Sequence, residues 1–336
     1  MKDLTVVDVA QLSPVTEPFC DLQAVDGRPI RWVRHSGLPG NWLERKISRP
    51  QLSRYRAVWN AASDAGKAAA VVSHMPWTTA AVSLLMKKRS TARPQLAFSF
   101  NFTKAPSGSA LSFFRKALAP VEQFAVFTEF EAELYAERLG LPRERFRPVL
   151  WTQAPPVPGT VPDGLVPDGP FVVAIGGEGR DFSVLKAAAA ALPDLPFVVI
   201  ARPTAMLDDA PPNMRLLFNL PWATCWGIAS RSIGLLVPLI SKHTCCGHIT
   251  LVSGRMAGLP IVTTTSSGTT EYSQGFDGTL TIPAGDVDGW VEALRLLRRD
   301  GERIGAAAAK EAGEAVRRHD RSLWAAYTAD FLRRVT

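Results

Sequence analysis

The residues best suited to chemistry fall in two parts of the 336-residue chain. In the second half, the apolar run LLVPLI (235–240) gives way to SKHTCCGH (241–248), which leads directly into the helical pattern ITLVSGRMA. Gly247, His248, Ile249 and Thr250 would form the first helical turn, where amide N–H groups lack intrahelical partners and the helix dipole is positive. A diphosphate suits such a turn. Lys242 and His243 add positive character just upstream, and Lys242 alternatively suits a sugar carboxylate. The plainer account is that Gly247 eases a tight turn and Thr250 caps. Gly176 and Gly177 follow the strand-like run FVVAI, where bare backbone lets a ligand approach closely. An ordinary strand-to-helix turn explains that pair equally well.

In the first half, acid–base candidates sit where strands are predicted to end. A base there would take the proton from an attacking hydroxyl. Glu129, just after FAVFT, is preferred, with Asp8 and His74 behind it. Asp8 alternatively satisfies backbone amides. Glu131 is set aside because Thr128-x-x-Glu131 reads as a capping box.

These groups need elements to hold them. Short β-branched runs at 4–9, 30–33, 69–73, 95–100 and 124–128 alternate with helical stretches at 49–66, 78–88, 109–118 and 129–139. Seven prolines and three glycines between 148 and 170 exclude regular structure there. The rhythm then restarts, with strands at 171–175, 197–201, 214–218, 234–238, 260–264 and 280–282. Helices fit 184–191, 222–230, 248–257, 287–299 and 301–318, and an amphipathic helix at 323–334 carries Trp324, Tyr327 and Phe331 on one stripe. The expected class is α/β: an N-terminal domain 1–152, a proline-rich linker 153–170, a second domain 171–318 and a C-terminal helix 319–336 packing toward the first domain. Both would be Rossmann-like, with parallel sheets facing a central cleft.

Composition narrows the partners. Residues 28–116 carry 16 basic residues against Glu44 and Asp64 alone, so this stretch favours an anionic partner: phosphate, a lipid surface or nucleic acid. No nucleic-acid motif accompanies the charge. Leu84–Leu85–Met86 beside Lys87–Lys88–Arg89, and Leu111, Phe113 and Phe114 beside Arg115–Lys116, mix apolar and cationic groups as bilayer-lying surfaces do, although 111–114 also reads as helix core. The uncharged segment 68–86 is long enough to span a membrane, but His74, Pro76, Trp77 and two threonines interrupt it. A strand, turn and helix fit better. The start MKDLTVVDVAQ predicts no secretory leader. Four cysteines (Cys20, Cys225, Cys245 and Cys246) match no zinc spacing and suit a reducing cytoplasm, so metal-independent chemistry is expected.

From Phe171 onward the order of motifs resembles GT-B glycosyltransferases of the group 1 kind. The matching stretches are FVVAIGGEGRDFSVLKAAAAALPDLPFVVIARP (171–203), PPNMRLLFNLPW (211–222), LLVPLI (235–240), CGHITLVSGRMAGLPIVTTTSSGTTEY (246–272) and DGTLTIPAGDVDGWVEAL (277–294). A thinner match, FTEFEAELYAERLGLPRERFRPVLW (127–151), looks like the segment closing that family's acceptor domain. The resemblance implies the GT-B fold and a nucleotide-sugar donor, a UDP-sugar, bound by Gly176, Gly177, Arg180, Arg202, Lys242, His243, Gly247–Thr250 and Glu271. A guanidinium at Arg180 could fork onto phosphate oxygens; pairing with Asp181 is its plainer use. No organic cofactor is implied. The acceptor would be a lipid-linked saccharide at the anionic inner face of the cell membrane, as in bacterial exopolysaccharide assembly, with glucuronate as a specific donor sugar.

One departure stands out. Retaining members commonly carry two glutamates eight positions apart; aligned on Gly258–Pro260, those places hold Cys245 and Ser253. Inversion, a divergent donor site or an inactive relative would each account for this. The rival readings are a sugar-nucleotide epimerase and a catalytically inactive partner of the same fold.

Overall fold

The alternation of β-branched runs and helices produces two parallel sheets in two units, Met1–Leu150 with Arg321–Thr336, and Trp151–Asp320. The computed structural model describes residues 3–10, 22–47, 51–102, 105–203 and 209–336; Cys20 lies outside them.

The first unit runs β1 (Leu4–Ala10), β2 (Ala24–Val25), β3 (Arg28–Ser36), α1 (Trp42–Lys46), α2 (Leu52–Asp64), β4 (Ala70–His74), α3 (Pro76–Lys88), β5 (Gln95–Phe98), α4 (Gly108–Leu118), β6 (Gln123–Val126), α5 (Glu129–Leu139) and β7 (Phe146–Pro148). Its sheet order is β2-β3-β1-β4-β5-β6-β7, parallel except for the β2–β3 pair. Strands β4, β5 and β6 are buried along their whole length, because helices cover both faces of such a sheet. The uncharged segment 68–86 is accordingly divided between β4 and α3, and no helix among the described residues is long and apolar enough to cross a membrane.

The second unit continues with β8 (Val172–Ile175), α6 (Phe182–Ala191), β9 (Phe197–Ala201), β10 (Met214–Phe218), α7 (Trp222–Ala229), β11 (Gly234–Val237), α8 (His248–Met256), β12 (Ile261–Thr264), α9 (Thr270–Ser273), β13 (Thr279–Ile282), α10 (Val287–Arg299) and α11 (Gly301–Arg318). The order β10-β9-β8-β11-β12-β13, parallel throughout, is that of a doubly wound dinucleotide-binding sheet. Trp290 and Leu294 of α10 and Leu185 and Ala188 of α6 fill the core beside β8 and β9. The proline-rich segment is held against this unit: Gly159 N–H donates to the Ala223 carbonyl at 2.7 Å. A Cβ on Gly227 would lie 2.1 Å from the Gly159 carbonyl oxygen, so only glycine admits that approach.

The last helix, α12 (Ser322–Val335), belongs to the first unit. Trp324 donates from its indole nitrogen to the Leu150 carbonyl at 2.7 Å and meets the Phe98 ring edge-on at 4.9 Å. The aromatic stripe is what docks it.

The packing corrects the bilayer-facing role expected of the apolar residues 84–86 and gives Leu111 and Phe114 to the helix core that the sequence also allowed. Met86 and Phe114 are core residues, 3% and 2% exposed, and Leu84, Leu85 and Leu111 pack against the same clusters. Helical spacing marks an apolar face without saying whether protein or lipid covers it.

Candidate functional site

Open α/β sheets bind ligands beyond their strands' carboxyl ends, where strand order reverses. In the second unit that point lies between β8 and β11. Gly176, at φ 113°, follows β8, while the 238–247 segment leads from β11 into α8. Between them sits Arg180. Its Nη2 donates to Thr250 Oγ1 at 3.1 Å and to the Ile175 carbonyl at 3.4 Å, and Nη1 donates to the Glu178 carbonyl at 3.2 Å. Its Nε is buried with no hydrogen-bond partner.

Two glycines make room for this guanidinium. A Cβ at Gly176 would come within 2.9 Å of Nη2, and one at Gly247, where φ is 101°, within 3.4 Å of Nη1. Their need for glycine is conformational at both positions, and at Gly176 a side chain would also displace the guanidinium. Asp181 does not pair with Arg180; it caps α6, accepting from the Ser183 and Val184 amides at 3.1 and 3.2 Å. Burial pulls the Arg180 pKa down to about 10, partly countered by the neighbouring Cys246. It remains a cation at neutral pH, with part of its hydration removed. A desolvated guanidinium beside a helix start is suited to an anion of high charge density.

Helix α8 begins at Gly247 without a side-chain cap, so its first-turn amides are not claimed by a capping side chain. Thr250 does not cap either; its hydroxyl joins Arg180 to the Ile175 carbonyl. His248 is turned inward: Nε2 lies 2.8 Å from the Gly268 carbonyl, and the ring meets Tyr272 at 4.7 Å. Lys242 and His243 are exposed, with the Lys242 carbonyl accepting from the Ser267 amide at 2.8 Å. Arg202 is exposed and lies 3.8 Å from Glu178 at the strand-end rim, where Gly177 also sits. Ile249 is exposed on the first turn of α8, and Glu271 opens α9. Gly176, Arg180, Gly247 and Thr250 thus form one contact set. At the two places where retaining relatives carry glutamate, Cys245 is buried and Ser253 accepts a hydrogen bond from Gln153 Nε2.

In the first unit the reversal falls between β1 and β4, and there Asp8 and His74 meet. His74 Nε2 is 3.0 Å from Asp8 Oδ1, with the residues 3% and 0% exposed. Glu129 is elsewhere in character. Its side chain is 70% exposed and ion-paired with Arg143 on the first turn of α5. Glu131, as expected of a capping group, accepts from the Phe127 amide at 2.8 Å while Thr128 accepts from the Glu131 amide at 3.1 Å.

Sequence reasoning missed two neighbours of His74. Met75 takes φ 69°, uncommon for a non-glycine residue, and Trp77 is 59% exposed while stacked on Phe113 at 5.6 Å. Only the Pro76 that follows Met75, at the helix start, hints at the turn.

The buried histidines couple this architecture to pH. Burial holds His248 and His319 down to about 4, so the folded protein excludes protons that the unfolded chain binds below about pH 6.5. Their stabilisation is complete above that value and is lost as pH falls toward 4. At about 1.4 kcal/mol per unit, each contributes about 3 kcal/mol across this window. Thermal melts from pH 7 to pH 4 should show this loss, and His248→Gln should flatten the slope by about half. An unchanged slope would place the acid sensitivity elsewhere.

The sequence matches no family model and none of the curated proteins. Its structure, however, is similar over nearly its whole length to several solved proteins. Anabaena HepE in complex with UDP-glucose superposes with a TM-score of 0.70 at 11% identity, covering 98% of this chain and 100% of that one. Sucrose-phosphate synthase from Thermosynechococcus elongatus gives 0.69 at 12% identity, with 98% of both chains covered. The lipopolysaccharide outer core galactosyltransferase WaaB gives 0.62 at 12% identity, covering 98% and 99%. These likenesses show the GT-B fold.

Proposed function

We propose that the protein is a glycosyltransferase that moves a sugar from a UDP-sugar to a lipid-linked saccharide with inversion at the anomeric carbon. The observation that carries this reading is the Arg180 guanidinium, seated between Gly176 and Gly247 and bonded to Thr250 beside the uncapped start of α8. Arg180 and the first-turn amides of α8 hold the diphosphate and take up the charge that develops as it leaves. The neighbour solved with UDP-glucose supports uridine as the nucleoside. Exposed Lys242 is the group suited to a uronate carboxylate, which keeps glucuronate as the specific donor.

His74 is the general base of this reading. A carboxylate at Nε2 favours the tautomer with its proton on that nitrogen. Asp8 orients the ring and stabilises the imidazolium formed when the acceptor hydroxyl gives up its proton. Cys245 and Ser253, where retaining relatives have carboxylates, favour inversion. The same two residues favour the second reading, a GT-B partner protein that binds nucleotide without turnover.

Incubation with UDP-glucuronate, UDP-glucose or UDP-galactose and a lipid-diphosphate-linked sugar separates the two. Release of UDP with a new anomeric proton of inverted configuration is expected; calorimetric UDP binding without product would favour the partner protein, and acceptor-independent conversion of the donor would favour an epimerase. EDTA is expected to leave turnover unchanged, because cationic and dipolar groups of the chain meet the diphosphate charge. Turnover lost to EDTA and restored by magnesium would refute that assignment.

A further inference from the structure

We propose that the outer face made by α1, the first half of α2 and the C-terminal end of α3 docks onto an anionic lipid bilayer. The proposal rests on the membrane-held acceptor of the reading above and identifies the surface that would reach it.

The face is rich in exposed apolar bulk. Trp42 and Tyr55 are each 68% exposed, Trp59 57% and Leu43 48%. Tyr55 and Trp59 lie four residues apart on α2, and therefore on one side of it. Arg56 fixes α1 beside them: Nε donates to Glu44 Oε1 at 2.7 Å, and Nη2 to Glu44 Oε2 and the Leu38 carbonyl at 3.1 Å each. Exposed tryptophan and tyrosine are the side chains that settle at the boundary between headgroups and acyl chains.

Cations interleave with these rings. Arg89, at the C-cap of α3, lies over the Trp59 ring at 3.7 Å, and Lys46 lies over Trp42 at 5.0 Å. Arg45, Lys87 and Lys88 are exposed beside them in sequence. Both acidic residues of 28–116 are already engaged, Glu44 by Arg56 and Asp64 by His35 at 3.0 Å. Sixteen cations against two engaged carboxylates leave the segment strongly positive, the sign that an anionic surface complements. Rings to insert and cations to meet lipid phosphates alternate along these neighbouring helix segments, and this pairing matches an anionic bilayer surface.

The test is co-sedimentation of the full chain with vesicles of equal parts phosphatidylglycerol and phosphatidylcholine, against vesicles of phosphatidylcholine alone. Wild type should partition onto the anionic vesicles, and less as salt rises. The Trp42→Ser, Tyr55→Ser, Trp59→Ser triple variant should lose at least about tenfold of that partitioning, with unchanged melting temperature and calorimetric UDP affinity. Lys87→Gln with Lys88→Gln should weaken binding and flatten its salt dependence. Equal binding of wild type and triple variant, no preference for the anionic vesicles, or a wild-type dimer that the triple variant abolishes without any vesicle binding would each overturn the proposal. UDP binding is read separately: its loss with vesicle binding intact would remove the donor reading and leave the docking face standing.

Discussion

Replacing Arg180 with alanine is expected to weaken UDP binding about 100-fold and to lower turnover at least as much. Charge-assisted hydrogen bonds contribute about 1.5–3 kcal/mol each, and a guanidinium forked onto a diphosphate forms two; about 3 kcal/mol corresponds to a loss of that size. Arg180→Lys should recover only part of the affinity, since an ammonium offers a point charge in place of a fork. Thr250→Val is the milder companion. It removes the hydroxyl 3.1 Å from Nη2 while keeping the side chain's shape, so the guanidinium is retained but loses its anchor. Isothermal calorimetry with UDP reads binding, and thermal melting checks that the fold survives. Wild-type affinity in a folded Arg180→Ala protein would remove the diphosphate from this place.

His74→Asn should lower kcat by about 10²- to 10⁴-fold, the range for losing a general base, with little change in the KM for the nucleotide sugar. Asparagine can still hydrogen-bond to Asp8, which is wholly buried, so the substitution keeps a polar partner beside that carboxylate. Asp8→Asn should also depress kcat, because it releases the imidazole from its orientation and removes the charge that supports the imidazolium. A fall in kcat at unchanged KM and unchanged melting temperature is the outcome that a purely structural histidine would not cause. Glu129→Gln, by contrast, should stay within about twofold of wild type, because that carboxylate is exposed and shared with Arg143. Full activity in His74→Asn together with inactivity in Glu129→Gln would return the base to the first turn of α5.

Much of the fold was legible because parallel strands buried on both faces appear as unbroken apolar runs. The run FVVIA is a strand at its predicted bounds, and α5, α10 and α11 begin and end where periodicity and caps place them. Thr128 and Gly140 show why α5 could be read: one caps its start and the other ends it in the left-handed conformation. The two-residue β2 and five-residue α1 are too short to produce a period, and neither was legible. What covers an amphipathic helix was not legible either. Met86, expected to face lipid, and Phe114, for which the sequence allows either lipid or helix core, are both core, while Trp42, Tyr55 and Trp59 carry no flag in the sequence and are exposed.

The candidate site followed the same division. Gly247 and Thr250 were readable, since a strand, a glycine and a helix occur in succession. The bond from Arg180 to Thr250 crosses 70 residues and that from His74 to Asp8 crosses 66, and no local pattern records either. Topology does. Once each sheet order is known, both contacts fall where that order reverses. Glu129 is marked in the sequence by the strand it follows, whereas its partner Arg143, beyond the end of α5, has no local signal that ties it to that carboxylate.

A crystal of the protein soaked with UDP tests the central claim most directly. The diphosphate is expected within hydrogen-bonding reach of the Arg180 guanidinium and the backbone amides that open α8, with the uracil beyond the carboxyl ends of the second sheet's strands. Diphosphate density bound away from Arg180, or a guanidinium that keeps Thr250 and the Ile175 and Glu178 carbonyls as its only partners in the UDP-bound crystal, would contradict the account.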